Sequence, residues 1–137
     1  MPVSLRPNLF VIGSMKSGTT YLRGLLAAHP AIFMSSPKEP CRFVDPNVLR
    51  KEWPWPWEQG YCCSEERYLD LFSASGDTAI LGEASTVYSQ APLYTGVPQR
   101  ILACWTVSGA RRRSAASRPW CRPRCASSAP HWSPRTA

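Results

Sequence analysis

Leu9-Phe-Val-Ile12 is a short apolar run with two β-branched members, and it stops at Gly13. That pattern predicts a buried strand. The loop Gly13-Ser-Met-Lys-Ser-Gly18 follows. From Thr19 or Thr20 the apolar positions take helical spacing, with Leu22, Leu25 and Leu26 on one face and Arg23 off it. His29-Pro30 ends the helix, because proline cannot continue its hydrogen-bond ladder. Strand, glycine loop and helix together are the first half of an α/β unit. Ala31–Met34 predicts a second short strand. Pro37, Pro40 and Pro46 predict loop after it. Trp53-Pro-Trp-Pro-Trp57 predicts irregular chain. It is either a rigid extended segment with its rings on the core surface, or an aromatic wall for an acceptor or a sugar. Glu65–Ser73 predicts a helix with Tyr68, Leu69 and Phe72 inward, broken at Gly76-Asp77. Thr78–Leu81 predicts a strand running into Gly82-Glu-Ala-Ser85. From Ser85 to about Ala103 the pattern is helical in pieces, interrupted by Pro92, Gly96 and Pro98.

From about Cys104 the language changes. Residues 108–137 hold no Leu, Ile, Phe, Tyr, Lys, Asp, Glu, Asn or Gln and show neither period, so they cannot build a core. The charge follows the same division. The net charge is +7, yet residues 1–100 hold nine basic and nine acidic residues, and residues 101–137 hold seven Arg and no acid. The whole excess therefore sits in the tail. The expected organisation is one small domain over 1–103 and a disordered basic tail over 104–137. With 137 residues there is room for one core and no more. No apolar run reaches the roughly 20 residues that span a bilayer, and the start does not look like a secretory signal. A cytoplasmic location with reduced thiols is expected. None of the six cysteines forms a C-x-x-C pair and no His lies at finger spacing, so no metal is expected.

The chemistry is concentrated in Phe10-Val-Ile-Gly-Ser-Met-Lys-Ser-Gly-Thr-Thr20. A loop between a strand and a helix N-terminus turns several amides toward one point, and the helix dipole adds about half a positive charge there. Lys16 adds a full charge, and Ser17, Thr19 and Thr20 add hydroxyl donors. This is a phosphate cradle. It differs from the nucleoside-triphosphatase loop G-x-x-x-x-G-K-[ST], because Lys16 precedes Gly18. A plain glycine-rich turn with a solvated lysine is the bland alternative.

The run Lys16-Ser-Gly-Thr-Thr-Tyr-Leu-Arg-Gly-Leu-Leu-Ala-Ala-His-Pro-Ala-Ile32, then Lys38-Glu-Pro40, then Gly82-Glu-Ala-Ser-Thr-Val-Tyr88 resembles the sulfotransferases that use 3′-phosphoadenosine 5′-phosphosulfate (PAPS). The likeness is to the carbohydrate-type branch and to bacterial proteins like it, and it covers about residues 8–103. It implies an α/β fold with a P-loop-like parallel sheet flanked by helices. It implies that Lys16, Ser17, Gly18, Thr19 and Thr20 hold the 5′-phosphosulfate, and that Lys16 is also catalytic, balancing charge on the oxygen bridging phosphorus and sulfur. It implies that Glu39 is the base that takes the proton from an acceptor hydroxyl or amine. Lys38 would touch cofactor or acceptor, or stand as a surface lysine. Glu83, Ser85 and Tyr88 are candidates on the acceptor side. PAPS is the implied sulfuryl donor, with no metal, and the partners are this nucleotide and an unidentified acceptor, carbohydrate among the possibilities.

Two departures qualify the likeness. Related enzymes often carry a basic residue where Ala84 stands. The strand expected after about Arg100, with an Arg-Asp-Pro loop that binds the 3′-phosphate, is not legible, so the sheet is expected to be incomplete, or truncated, and the chain inactive. The acid-free tail suggests a frameshift. Read one base later, the codons of Arg111–Ser117 permit Val-Val-Val-Leu-Leu-Leu, and those of Ser117–Trp120 permit Arg-Asp-Pro. Two other classes remain. One is a P-loop nucleotide kinase-like protein, against which the missing Walker spacing counts. The other is a nucleic-acid-binding protein working through its basic tail, although a solvated charge run is the default for such a segment and no nucleic acid is expected.

Overall fold

The computed structural model describes residues 6–109. Three strands form a parallel sheet: β1 (Leu9–Val11), β2 (Ile32–Met34) and β3 (Ile80–Ala84). The order is β1-β3-β2, so the last of the three described strands lies between the other two. Leu9 lies opposite Gly82 on one side, and Met34 lies opposite the same glycine on the other. A Cβ at Gly82 would run into Met34 and lie 3.2 Å from the Leu9 side chain, so side chains of both outer strands close over the missing one.

Helix α1 (Thr19–Ala27) joins β1 to β2. It begins at Gly18, whose φ of 84° only glycine adopts at low cost. Of the three leucines expected on its inner face, Leu26 packs on Val11, Met34 and Ala84. Leu22 and Leu25 remain 45% and 54% exposed, because the part of the sheet that the described residues build is too narrow to cover them.

The segment after β2 departs from expectation. Residues 46–59 form two helices, α2 (Pro46–Glu52) and α3 (Pro54–Gln59). Each begins with proline in its first turn, where the N–H has no intrahelical partner to lose. The Asp45 carboxylate caps α2, accepting from the Asn47 amide at 2.8 Å. The tryptophan-proline run is therefore helical from Pro54 rather than extended. Trp53 and Trp57 pack against the core, and Trp55 stays half exposed.

Helix α4 (Glu65–Asp70) is capped by Ser64 and delivers Tyr68 to the core. The chain continues through a short turn to β3, which starts at Ile80 and includes Gly82-Glu83-Ala84. A 3₁₀ turn over Thr86–Ser89 follows, and then α5 (Val97–Gly109). Of the helical pieces expected between Ser85 and about Ala103, the first is this 3₁₀ turn and the last is α5, which has Pro98 in its first turn and runs on past Ala103. The main core lies on one side of the sheet. Phe43 stands at its centre, with the rings of Phe10, Tyr68 and Tyr88 edge-on at 5.8–5.9 Å. The arginine-rich run and its shifted reading, residues 110–137, lie outside the described residues.

Candidate functional site

The glycine loop of the candidate cradle lies between β1 and α1. Gly13 is tightly enclosed: a Cβ there would meet the Thr19 methyl at 2.8 Å and the Ser17 hydroxyl at 3.0 Å. Ser17 donates its hydroxyl to the Ser14 carbonyl at 2.7 Å, closing the turn. Ser89, from the 3₁₀ turn, donates to the Gly13 carbonyl at 2.9 Å and fixes the loop from behind. Lys16 lies at the crest with φ 61°. It is exposed and has no ion-pair or hydrogen-bond partner among the described residues. The amides of Thr19, Thr20 and Tyr21, in the first turn of α1, find no backbone acceptor among these residues either. Open donors, a helix N-terminus and an unpaired ammonium suit a phosphate-like anion.

Lys38 and Glu39 arrive from the loop after β2. The Glu39 amide donates to the Ala84 carbonyl at 2.8 Å, which extends the β2–β3 pairing to the site. Its side chain is held on both oxygens: the Thr86 amide donates to Oε2 at 2.8 Å and the Thr86 hydroxyl to Oε1 at 2.9 Å. Lys38 Nζ stands 3.5 Å from Oε1. The same ammonium donates to Thr20 Oγ1 at 3.0 Å and to Thr19 Oγ1 at 3.2 Å. One nitrogen thus bridges the cradle hydroxyls and the carboxylate. The two motifs are no farther apart than those two spans laid end to end. Arg23 of α1 donates to the Ser35 carbonyl at the end of β2, tying the helix to the loop that carries Lys38.

Ser85 and Tyr88 are buried. The Ser85 hydroxyl accepts from the Cys41 amide at 3.2 Å, and the Tyr88 hydroxyl accepts from the Phe43 amide at 3.4 Å. Both therefore hold the loop that follows Glu39. Burial pushes the Cys41 thiol well up, and the nearby Glu39 and Glu83 carboxylates add to this, which favours the neutral thiol. The Cys62 thiol is pushed up to about 11, again by burial.

Thr86 is the residue that the sequence reading missed. It lies inside Gly82–Tyr88, between two residues that were singled out. Its signal was local: a hydroxyl residue opening a turn just after a strand has a free amide and a donor together. Of the tryptophans, Trp57 stacks under Arg50 at 4.9 Å. Among the described residues no group of three or more His, Cys, Asp or Glu is placed to hold a metal ion, and no helix is long and apolar enough to cross a membrane.

No curated protein matches the chain. Among solved structures, that of a sulfotransferase from Alicyclobacillus acidocaldarius superposes with a TM-score of 0.58 at 31% identity. The match covers 72% of this chain and 40% of that one, so the chain spans well under half of its solved relative's length. Residues 7–104 match the Sulfotransferase family, a stretch that includes the cradle, the Lys38-Glu39 pair and the strand that joins them. On that match the chain belongs to the sulfotransferase family.

Proposed function

We propose that this chain carries the phosphosulfate-binding and proton-accepting half of a site that moves a sulfuryl group from PAPS to a hydroxyl or amine acceptor. The observation that carries the reading is the Lys38 ammonium, shared between the cradle hydroxyls and Glu39. A carboxylate that near an anion cradle can reach the attacking atom of an acceptor lying against the bound anion.

PAPS supplies the sulfuryl group, and the cradle donors suit its phosphosulfate end. Lys16, with the open amides of Thr19 and Thr20, holds that anion and balances charge on the oxygen between phosphorus and sulfur. Ser17 shapes the turn and Gly18 lets the backbone approach closely. Glu39 accepts the proton from the acceptor, with Thr86 fixing both of its oxygens. Lys38 leaves the threonine hydroxyls for the anion when it binds and guards the acceptor side otherwise. Ser85 and Tyr88 serve the acceptor side from below by fixing the loop. The domain assignment is 1–103 for this half-site and 104–137 for a tail read out of frame, and the chain alone is a poor catalyst.

The test is label transfer from PAPS carrying labelled sulfur, set beside ATP labelled in its γ-phosphate, with sugar, phenol and amine acceptors. Equilibrium binding of PAPS is measured in parallel. PAPS binding that Lys16→Ala weakens, with any transfer limited to sulfur label, supports the reading. Transfer of phosphate label alone, or PAPS binding indifferent to Lys16, overturns it.

A further inference from the structure

Glu83 lies on β3, the central strand, with no exposed surface. A carboxylate there would be a charge in the core without a hydrogen-bonded cation. Its one donor is the Tyr88 hydroxyl, 2.7 Å from Oε1. The other oxygen, Oε2, lies beside the buried hydroxyl of Tyr68 from α4 and has no further partner. An ionised carboxylate held only by tyrosine hydroxyls, with no cation bonded to it, is costly in a core, and a proton on Glu83 removes that charge.

Among the other groups that face Glu83, Glu39 favours the same state, and the Tyr88 and Tyr68 hydroxyls and Arg42, which favour the carboxylate, are outweighed by burial. Glu39, on the loop after β2, adds a second negative charge nearby. Cys41, on the same loop, is a buried neutral thiol. Arg42 is the cation in range, and it is engaged elsewhere: it donates to the Cys62 carbonyl at 2.9 Å and lies 6.0 Å over the Tyr68 ring. Tyr88 and Tyr68 are themselves kept neutral by burial.

We propose that Glu83 is a positioning residue that works as a neutral acid, clamped between Tyr88 and Tyr68, and through Tyr88 locks the loop that presents Glu39. The chain of contacts is continuous. Tyr88 donates to Glu83 and accepts from the Phe43 amide. Ser85 accepts from the Cys41 amide, and Ala84 accepts from the Glu39 amide. Alternate residues of the loop, at 39, 41 and 43, are thereby fastened to the segment that starts at Glu83. The role in positioning rests on the reading of Glu39 as the base; the protonation of Glu83 does not.

Burial, with Glu39 adding to it, raises the Glu83 acid to about 8 from an ordinary value of 4.5. The sign follows directly. The folded state holds its proton more tightly than the unfolded state, so the contribution to stability is complete below about pH 4.5. It is lost progressively as pH rises toward about 8.

Infrared difference spectra of the full chain test the protonation. A protonated-carboxyl band is expected at neutral pH, abolished by Glu83→Gln, shifted by Tyr68→Phe and by Tyr88→Phe, and lost on titration near pH 8. The urea midpoint of the wild type is expected to fall between about pH 5 and about pH 8 relative to that of Glu83→Gln, whose amide has no proton to lose. Absence of the band at neutral pH, its survival in Glu83→Gln, or parallel midpoint curves overturns the proposal. If Glu83→Gln does not fold, the two tyrosine variants decide: a band that moves in neither one overturns it. None of these readouts uses sulfuryl transfer. A failed transfer assay therefore leaves this result standing, and a missing band leaves the reading of Glu39 standing.

Discussion

Glu39 holds its carboxylate in place with a backbone that glycine would adopt more readily, at φ 62°. Lys16 and Cys41 share that left-handed conformation, at 61° and 54°. A side chain in this region costs on the order of 1–2 kcal/mol, so three such residues about one site mark where shape is held against local preference. Chemistry should be sensitive there. In an active sulfotransferase that carries this half-site, Lys16→Ala should lower turnover by about 10²–10³ while binding of the desulfated nucleotide changes far less. Turnover that is unchanged rejects the role. Glu39→Gln keeps the shape and removes the base, so turnover should fall by about 10²–10⁴. Thr86→Ala removes one of the two donors on Glu39 and should cost about tenfold in turnover, the scale of one hydrogen bond to a charged group. If Thr86→Ala is as active as the wild type, the Thr86 hydroxyl is not holding the base.

At the scale of elements, legibility depended on what each proline meant. The first strand and helix were plain from the LFVI run and the leucine spacing, because glycine punctuates both ends of the cradle. Helices α2 and α3 were read as loop because Pro46, Pro54 and Pro56 count as breakers in a window of sequence. In the fold each stands in a first turn, where the missing N–H costs nothing. Asp45 before Pro46 was the available signal, a capping residue followed by proline. Asp45→Ala should therefore destabilise the fold by about 1 kcal/mol through the lost cap. It also removes the partner 3.8 Å from Arg100 of α5, so the urea midpoint is the measurement. An unchanged midpoint would mean that α2 does not depend on that cap. Gly82→Ala belongs here too. Its methyl would crowd Met34 and Leu9 between three strands, and overpacking of this kind costs about 1–3 kcal/mol. The glycine loop and the Lys38-Glu39 pair were legible as motifs, but the bridge between the loop's threonines and Glu39 was not. Residues 18 apart meet through Lys38 only because β2 brings its loop alongside α1.

At the scale of the molecule, the described fold leaves apolar surface open around the cradle. Ile12, Met15, Tyr21 and Leu25 are each more than half exposed. Patches of this kind drive association unless something covers them. The chain should therefore self-associate as its concentration rises, and Leu25→Lys should suppress this in sedimentation or light scattering. If the wild type stays monomeric at high concentration, the surface is covered by something else. PAPS affinity belongs to the same scale. Among the described residues no Arg-Asp-Pro loop stands ready for the 3′-phosphate. The loss of two or three charge-assisted hydrogen bonds, at about 1.5–3 kcal/mol each, predicts binding at least a hundredfold weaker than in a sulfotransferase that has such a loop. Equal affinities in titration calorimetry would refute that.

The order β1-β3-β2 also governs how the site comes into being during synthesis. A chain that has left the ribosome as far as Thr78 already holds the cradle sequence, Lys38 and Glu39. Yet its two strands have no neighbour to pair with, since each pairs only with β3 among the described residues. Non-local parallel pairing of this sort forms late and slowly. Until Ile80–Ala84 is made, Glu39 lacks the Ala84 carbonyl that anchors its amide and the Thr86 donors that hold its side chain. A nascent chain arrested before β3 should thus be as open to protease at the Lys38-Glu39 loop as an unfolded peptide, and one released after Ser89 should be closed there.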